Sequence, residues 1–503
     1  MALVPSLFAA LALALLHWKG PFFMGRNSDP DYVYLLNALN VAQGKVPLHN
    51  DHPGTTVQVL GGALVEIIHA LGRSRQSLVS DVIARPETYL AWLQHVMLAL
   101  LAGALYLVGL VASRRGHQRR WGLLAQSAPL FAFSSFLAAT RFCPEPLLYL
   151  VVQGIVLLAI GYLFGETIGL RWATLLGILL GVGVATKVTF LPLFAFVLLL
   201  LPAVRLAAWA VVVAVVTTFV ATLPIVSRYH YVWEFMKRLF WHSGIYGSGA
   251  EQFLDVHQSS VGFSTAVAQD PSFFVLMLAA VALLAITWRT LDRSPLTRRA
   301  LRALAVVLAV GGAQSFLLFK HPGDVRYMLP AAALAGLLVV CGGLVLRASA
   351  AGKPLLGASL ALCVVCAALT ANTFVRAANA FRRDSRDVAA IGKLVADRYA
   401  DCGIAYYYAS SSPLAALQFG NSYTGNAYSE PIRRLYPRSL SYDIWRRHFV
   451  FNDRVTGLDG LASLRCLVLQ GTPFSGTRLR YLPSFAIRAV GGGPSETLYE
   501  VMR

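Results

Sequence analysis

Charge is what this chain has least of. Asp, Glu, Lys and Arg make up 13% of its 503 residues, about half of what a soluble protein of this size carries. Acidic residues are the scarcer sign: 24 Asp and Glu stand against 43 Lys and Arg, a formal charge of +19. Apolar residues take 57% of the chain, and the mean hydropathy is +0.60. These values exclude an ordinary soluble protein and imply a polytopic integral membrane protein.

Other absences narrow the reading further. The apolar run from Met1 to Trp18 has no basic segment before it and no small-residue cleavage site before Lys19. It reads as an uncleaved first membrane helix rather than a signal peptide. No basic patch is interleaved with stacking aromatics, so nucleic acid is set aside as a partner. The surplus of Lys and Arg fits cytoplasmic loops that meet anionic lipid. The sequence also lacks the internal repeat expected of a transporter built from two halves. Of six cysteines, Cys143, Cys341, Cys363 and Cys366 fall in or beside apolar runs, where cysteine acts as a small hydrophobe. The Cys363–Cys366 spacing lies inside such a run and reads as helix packing.

Apolar runs able to cross ~30 Å of hydrocarbon are expected near 2–18, 88–112, 122–140, 146–164, 172–186, 188–204, 206–225, 271–288, 303–319, 328–346 and 355–374. About eleven transmembrane helices follow. Arg114, Arg115, Arg119 and Arg120, and then Arg293, Arg298 and Arg299, mark cytoplasmic connections, with Arg205 and Arg347 as two more. The opposite, external face then receives residues 19–87, Arg141 to Pro146, Thr186-Lys187, 226–270 and Lys320 to Tyr327. Within 19–87, Asp31 to Ala42 and Thr55 to Ala70 carry apolar residues at helical spacing and are expected to lie along the outer leaflet. Two domains are expected: a transmembrane part, 1–375, and an external soluble α/β domain, 376–503. In the latter, Asp387 to Tyr399 reads as an amphipathic helix, Gly403 to Tyr408 and Leu467 to Leu469 as buried strands, and the chain end as a hairpin. Cys402 and Cys466 precede those two strands. Parallel neighbouring strands on the oxidising side of the membrane would let them form a disulfide.

The scarce polar groups gather in a few places. Ser28-Asp29-Pro30-Asp31-Tyr32-Val33-Tyr34 follows the first helix, then Gly44-Lys45-Val46-Pro47 and His49-Asn50-Asp51-His52-Pro53-Gly54. Acids at a membrane boundary carry a desolvation cost and so mark function. Asp29 before Pro30 could equally cap a helix start. Arg141-Phe142-Cys143-Pro144-Glu145-Pro146 comes next. Thr186-Lys187 closes a helix bearing Gly177, Gly181 and Gly183, and Lys320-His321 precedes Arg326-Tyr327-Met328-Leu329-Pro330. His242 to Gly249 is a glycine-rich stretch that could cover an acceptor or merely connect.

In that order these motifs resemble the GT-C superfamily of polyprenyl-phosphate-dependent glycosyltransferases. The similar branch is the protein O-mannosyltransferase-like one, which includes the lipid A aminoarabinose and galacturonic acid transferases. The resemblance spans roughly residues 1–350 and rests on Asp29, Tyr32 or Tyr34, Gly44, His52-Pro53, Arg141 to Pro146, Thr186-Lys187 and Arg326 to Pro330. The chain departs from the pattern in carrying Asp29-Pro30-Asp31 rather than an Asp–Glu pair, and His52 where a lysine is common. The resemblance implies a GT-C fold in a bacterial inner membrane with the active site facing the periplasm. It implies a sugar moved from a polyprenyl-phosphate donor to a glycan, lipid or protein acceptor, with inversion. The phosphate is already a good leaving group, so the chemistry needs a base for the acceptor hydroxyl and cations for the phosphate. Asp29, Glu145 and Asp31 are the catalytic candidates. Arg326, Arg141, Lys187, His321, Lys320 and His52 are the phosphate-binding ones, and Tyr32, Tyr34, His242 and Tyr246 would contact donor or acceptor. No organic cofactor and no metal site are assigned, although Asp29 and Asp31 together could hold a divalent cation. An O-antigen-ligase-like transferase and a lipid-linked glycan flippase are the alternatives.

Overall fold

The computed structural model describes residues 1–24, 31–244, 247, 249–289, 291, 294–321, 325–349, 352–444, 446–451, 454–475 and 482–502. Five helices are long and apolar enough to cross a membrane: Pro86–Arg115, Pro144–Leu163, Val204–Ala221, Pro295–Lys320 and Leu355–Arg398. Two bent pairs bring the number to seven if each is one span. Val256–Gln269 meets Pro271–Thr287 at 96°, and Val325–Ala332 meets Ala335–Ala348 at 46°. Leu3–Lys19, Thr55–Leu71, Leu170–Thr186 and Val188–Leu200 are apolar but shorter.

Among the described residues, several of the expected apolar runs are thus shortened or broken, and the breaks have local causes. The expected span 122–140 is divided into helices Arg119–Ala125 and Ser134–Ala139 with a 3-10 turn between them. The buried carboxylate of Asp270 accepts hydrogen bonds from the N–H groups of Phe133 and Ser134, each at 3.0 Å. It supplies the partners that the start of a helix lacks. Within 188–204, Pro192 interrupts the run and leaves a 3-10 stretch, Val188–Phe194. The last span has the opposite fate: it continues through the expected helix 387–399 as one 47-residue helix, Gly352–Arg398.

The chain divides into two compact units: Met1–Leu13, Asn50–Val57 and Gln94–Val375 form one, and Ala14–His49, Gln58–Leu93 and Arg376–Arg503 the other. In the first unit, helix Leu170–Thr186 packs on Val204–Ala221 through its glycines. A Cβ on Gly177 would sit 2.6 Å from the carbonyl oxygen of Ala210, and one on Gly181 would sit 2.5 Å from that of Ala214. Small residues let the two backbones meet, the usual device where lipid removes any hydrophobic drive between helices.

The second unit is built on a seven-stranded mixed sheet. Its strands are β1 (Gly403–Tyr406), β2 (Leu440–Asp443), β3 (His448–Phe451), β4 (Arg454–Thr456), β5 (Leu467–Gly471), β6 (Ile487–Gly492) and β7 (Thr497–Val501). Their order is β4-β3-β2-β1-β5-β7-β6, with β1 parallel to both β2 and β5. Every residue of β5 is buried, as a strand covered on both faces requires. Gly403 pairs with Leu467, which brings the residues before them together, and Cys402 and Cys466 are joined by a disulfide with Cα atoms 4.6 Å apart. The chain end is the expected hairpin, β6–β7.

Helix Asp31–Ala42 belongs to this second unit and corrects an expectation. Ten of its twelve residues are buried, so it does not lie open along a leaflet. It packs on helix Pro413–Ser422, where a Cβ on Gly420 would approach the carbonyl oxygen of Tyr32 to 3.0 Å. Its polar side chains are turned to local partners: Asn37 accepts from the N–H groups of Leu48 and His49, and Asn40 accepts from the Tyr428 hydroxyl at 2.6 Å. Thr55–Leu71, in contrast, leaves Val59, Ile67 and Leu71 exposed, the apolar face that an interfacial helix presents.

Candidate active site

In the first unit, polar groups from three separate stretches meet. Glu145 stands in the first turn of helix Pro144–Leu163, which opens on Pro144, the residue best suited to a first helical position. The carboxylate is 2% exposed. Lys187 ends helix Leu170–Thr186 in an extended conformation, and its Nζ donates to Glu145 Oε1 at 2.7 Å. Arg326 brings a guanidinium nitrogen to 4.0 Å from the same oxygen, with its side chain 15% exposed. The ring of Tyr327 lies 5.5 Å from Lys187 Nζ. Buried Lys187 and half-buried Arg326 thus share one carboxylate. Taking such groups out of water is costly unless they are paired.

The backbone holds the cations in place. Pro53 and Lys187 form an isolated antiparallel bridge. Val188 N–H donates to the His52 carbonyl at 3.0 Å, and Gly54 N–H to that of Thr186 at 3.2 Å. Gly54 has φ +68°, a conformation that glycine adopts without strain. The hydroxyls of Thr56 and Thr186 lie 2.6 Å apart. His52 therefore reaches the trio's neighbourhood through its main chain, and its ring is buried. Arg141, also buried, precedes the same helix as Glu145.

The other cations expected here are turned elsewhere. Lys320 Nζ donates to the carbonyls of Phe240 and Phe253 at 2.6 and 2.8 Å and sits 3.8 Å from the Phe253 ring centroid. His321 Nδ1 is 3.0 Å from the Gly244 carbonyl, and burial holds its imidazole below the usual histidine range. His242 Nδ1 lies 3.2 Å from the Gly249 carbonyl. Lys320, His321 and His242 are thus engaged with the carbonyls of Phe240, Gly244, Gly249 and Phe253. Tyr246 lies outside the described residues.

In the second unit, Asp29 lies outside the described residues, and what flanks it is well defined. Lys19 Nζ is 3.4 Å from Asp31 Oδ2, both side chains almost fully buried. Glu87, in the first turn of helix Pro86–Arg115, accepts from the N–H groups of Phe22 and Phe23 at 2.7 and 3.1 Å. It also accepts from the Tyr32 hydroxyl at 2.7 Å. Burial first, then the Glu87 charge, pushes the Tyr32 phenol far above its usual range. Tyr34 meets the His49 ring edge-on at 5.2 Å. Glu87 was not singled out from the sequence; an acid in the first turn of an apolar span was the signal that could have found it. Among the described residues, no three His, Cys, Asp or Glu side chains gather as a metal-ligating group.

Fold and site together define a polytopic helical membrane protein with a buried cationic cluster and a mixed-sheet C-terminal region. No protein-family model matches the chain, and no curated protein does. Two solved structures are similar to it over nearly their whole length: ArnT from Cupriavidus metallidurans bound to undecaprenyl phosphate and ArnT from Cupriavidus metallidurans in the apo state. They share 13% and 14% identity with it, cover 98% of this chain and 97% of theirs, and have a TM-score of 0.49 each. A likeness of that depth is general, and the chemistry that follows rests on this chain's own residues.

Proposed function

We propose that this chain is a GT-C-type membrane glycosyltransferase that moves a sugar from a polyprenyl-phosphate donor to an acceptor outside the cytoplasmic membrane, with inversion at the transferred carbon. The observation that carries the reading is the cationic trio. Glu145 sets Lys187 and Arg326 beside one another, and two cations so placed suit a phosphate whose charge grows as the sugar leaves. Arg141 is the further cation for that phosphate. Glu145 acts by orienting its two partners, which a mobile surface lysine or arginine would have to do at an entropic cost.

The base for the acceptor hydroxyl is assigned to Asp29, with Asp31 as its substitute. The buried pairing of Asp31 with Lys19 favours a supporting role for Asp31 and leaves Asp29 as the first choice. Tyr32 and Tyr34 stand on the same helix and are assigned to the sugar. A Cys402–Cys466 disulfide suits a C-terminal domain in an oxidising compartment, and the periplasm of a bacterial envelope is that compartment in this proposal.

The test is direct. Purified protein in nanodiscs is incubated with a panel of undecaprenyl-phosphate sugars, with and without a divalent-cation chelator, since Asp29 and Asp31 are spaced to hold such an ion. Release of undecaprenyl phosphate from one donor, lost in Arg326→Ala, supports the reading. Consumption of no donor by the wild-type protein overturns it.

A further inference from the structure

The second unit contains a cavity of about 430 Å³, within the range of small-molecule sites. Its walls include Met24, Asp384 on the long last helix, Tyr408 and Ser410 after β1, and Ser495 and Glu496 in the β6–β7 turn. We propose that this cavity is the acceptor-glycan subsite, and that it takes a pyranose ring carrying no negative charge; the acceptor role rests on the glycosyltransferase reading above.

The chemistry of the lining selects the ligand class. Two carboxyl groups, three serine hydroxyls counting Ser475, a phenol and a threonine hydroxyl face a space bounded elsewhere by prolines, Val388 and Met24. No Lys, Arg or His is among the described lining residues, so a phosphate or uronate would meet carboxylates without a counter-charge. Closely set acceptors and donors that match vicinal hydroxyls, next to short apolar walls, are what a sugar ring presents in complement. The volume admits one or two such rings.

The site is also built rather than incidental. Glu496 is 2% exposed, and Gln470 Nε2 donates to its Oε1 at 3.1 Å. Burial raises its carboxyl to about 7, with Ser411 and Gln470 opposing and the Asp387 charge assisting. Near neutral pH the group can thus both donate and accept a hydrogen bond. The turn is pinned to the helix: the Ser495 hydroxyl bonds to Asp384, and its N–H donates to Asp387 at 3.2 Å. A Cβ on Gly493 would fall within 2.5 Å of the Asp387 carboxyl atoms, so a larger residue there would displace that carboxylate from the turn. Met24 is also the last described residue before the segment that carries Asp29, the proposed base.

The experiment separates this proposal from the one it rests on. Saturation-transfer NMR with full-length protein in nanodiscs, without any donor, is run with methyl β-glucopyranoside, glucosamine and glucuronate. The first two are expected to bind with a Kd of about 1 mM and glucuronate not to bind. Glu496→Gln keeps the volume and the Gln470 contact, and Ser475→Trp fills the rim from an exposed position; each is expected to weaken binding roughly tenfold. Retention of the Cys402–Cys466 bridge and of a single cooperative melting transition shows that the variants are folded. In the transfer assay, Ser475→Trp is expected to raise the acceptor KM. Absence of binding by both uncharged and amino probes overturns the proposal, as does equal binding in wild type and both variants, tighter binding of glucuronate, or an unchanged acceptor KM. Failure of the transferase reading shows itself separately, as no donor consumed by the wild type, and leaves the binding result legible.

Discussion

Each unit holds a cluster of scarce charged groups, and the two clusters are made differently. In the first, one carboxylate serves two cations: Lys187 and Arg326 converge on Glu145. In the second, Asp384 and Asp387 bind the turn that carries Glu496, and Glu87 accepts from two backbone N–H groups and a phenol. A cationic cluster held by a single acid suits an anion whose charge grows. Acids held by neutral donors suit the taking of a proton or the recognition of hydroxyls. On the proposed reading, the first cluster serves the leaving phosphate and the acids of the second serve the incoming hydroxyl.

The sharpest way to break that division is at Asp29. In Asp29→Asn, kcat should fall by roughly 10²–10⁴ while donor binding, followed by fluorescence of a labelled lipid phosphate, stays intact. Near wild-type turnover would move the base to Asp31 or remove it from this unit altogether. Next in size is the disulfide. Replacing Cys402 and Cys466 by Ser opens a 64-residue loop and should lower the stability of the second unit by about 4 kcal/mol in the chain-entropy description. Chemical denaturation followed by fluorescence reads this, and an unchanged midpoint would mean that the sheet alone fixes β1 beside β5.

Glu496 gives an effect of similar kind and a definite sign. Its folded pKa of about 7 lies above the ordinary glutamate value of 4.5, so the folded state holds the proton more tightly. The corresponding stability is fully present below about 4.5 and is lost as pH rises through 7, about 3 kcal/mol in all. Melting curves from pH 4.5 to 8 should show this decline in the wild type and its absence in Glu496→Gln. A wild-type profile that rises over that window would contradict the neutral-donor environment described for this acid. The smallest effect is expected at Arg326→Ala, which should weaken donor binding by about 1.5–3 kcal/mol. Arg326→Lys should restore part of this, since an ammonium cannot repeat a two-pronged contact. Donor affinity unchanged in Arg326→Ala would leave the first unit without its assigned anion.

The first unit's cluster was legible because a Lys, an Arg and a Glu among long apolar runs stand out by composition alone, and Pro144-Glu145-Pro146 and Arg326-Tyr327 marked the turns that bear them. Broken spans were not legible. A hydropathy window over 122–140 registers apolar residues and cannot register Asp270, more than a hundred positions away, supplying the hydrogen bonds that let the helix stop and restart. Helix Asp31–Ala42 was misjudged for a related reason. Its mixture of Tyr, Asn and Leu has the composition of an interfacial helix, and burial comes from packing on Pro413–Ser422, a partner some 380 residues later. The parallel β1/β5 pairing and the cysteine bridge were readable because both rest on short apolar runs preceded by cysteine. Glu87 and Glu496 were not, because their roles come from partners brought by folding rather than from neighbours in sequence.

Glu87 binds the backbone of Phe22 and Phe23 on one side and the side chain of Tyr32 on the other, and Lys19 reaches Asp31 across the same interval. One carboxylate thus works as a clasp between two stretches more than fifty positions apart in sequence, holding three hydrogen-bond donors at once. Removing its charge, as in Glu87→Gln, should loosen the Phe22–Phe23 turn and Tyr32 together, because donors left without their acceptor in a buried setting carry the desolvation cost of the lost bonds.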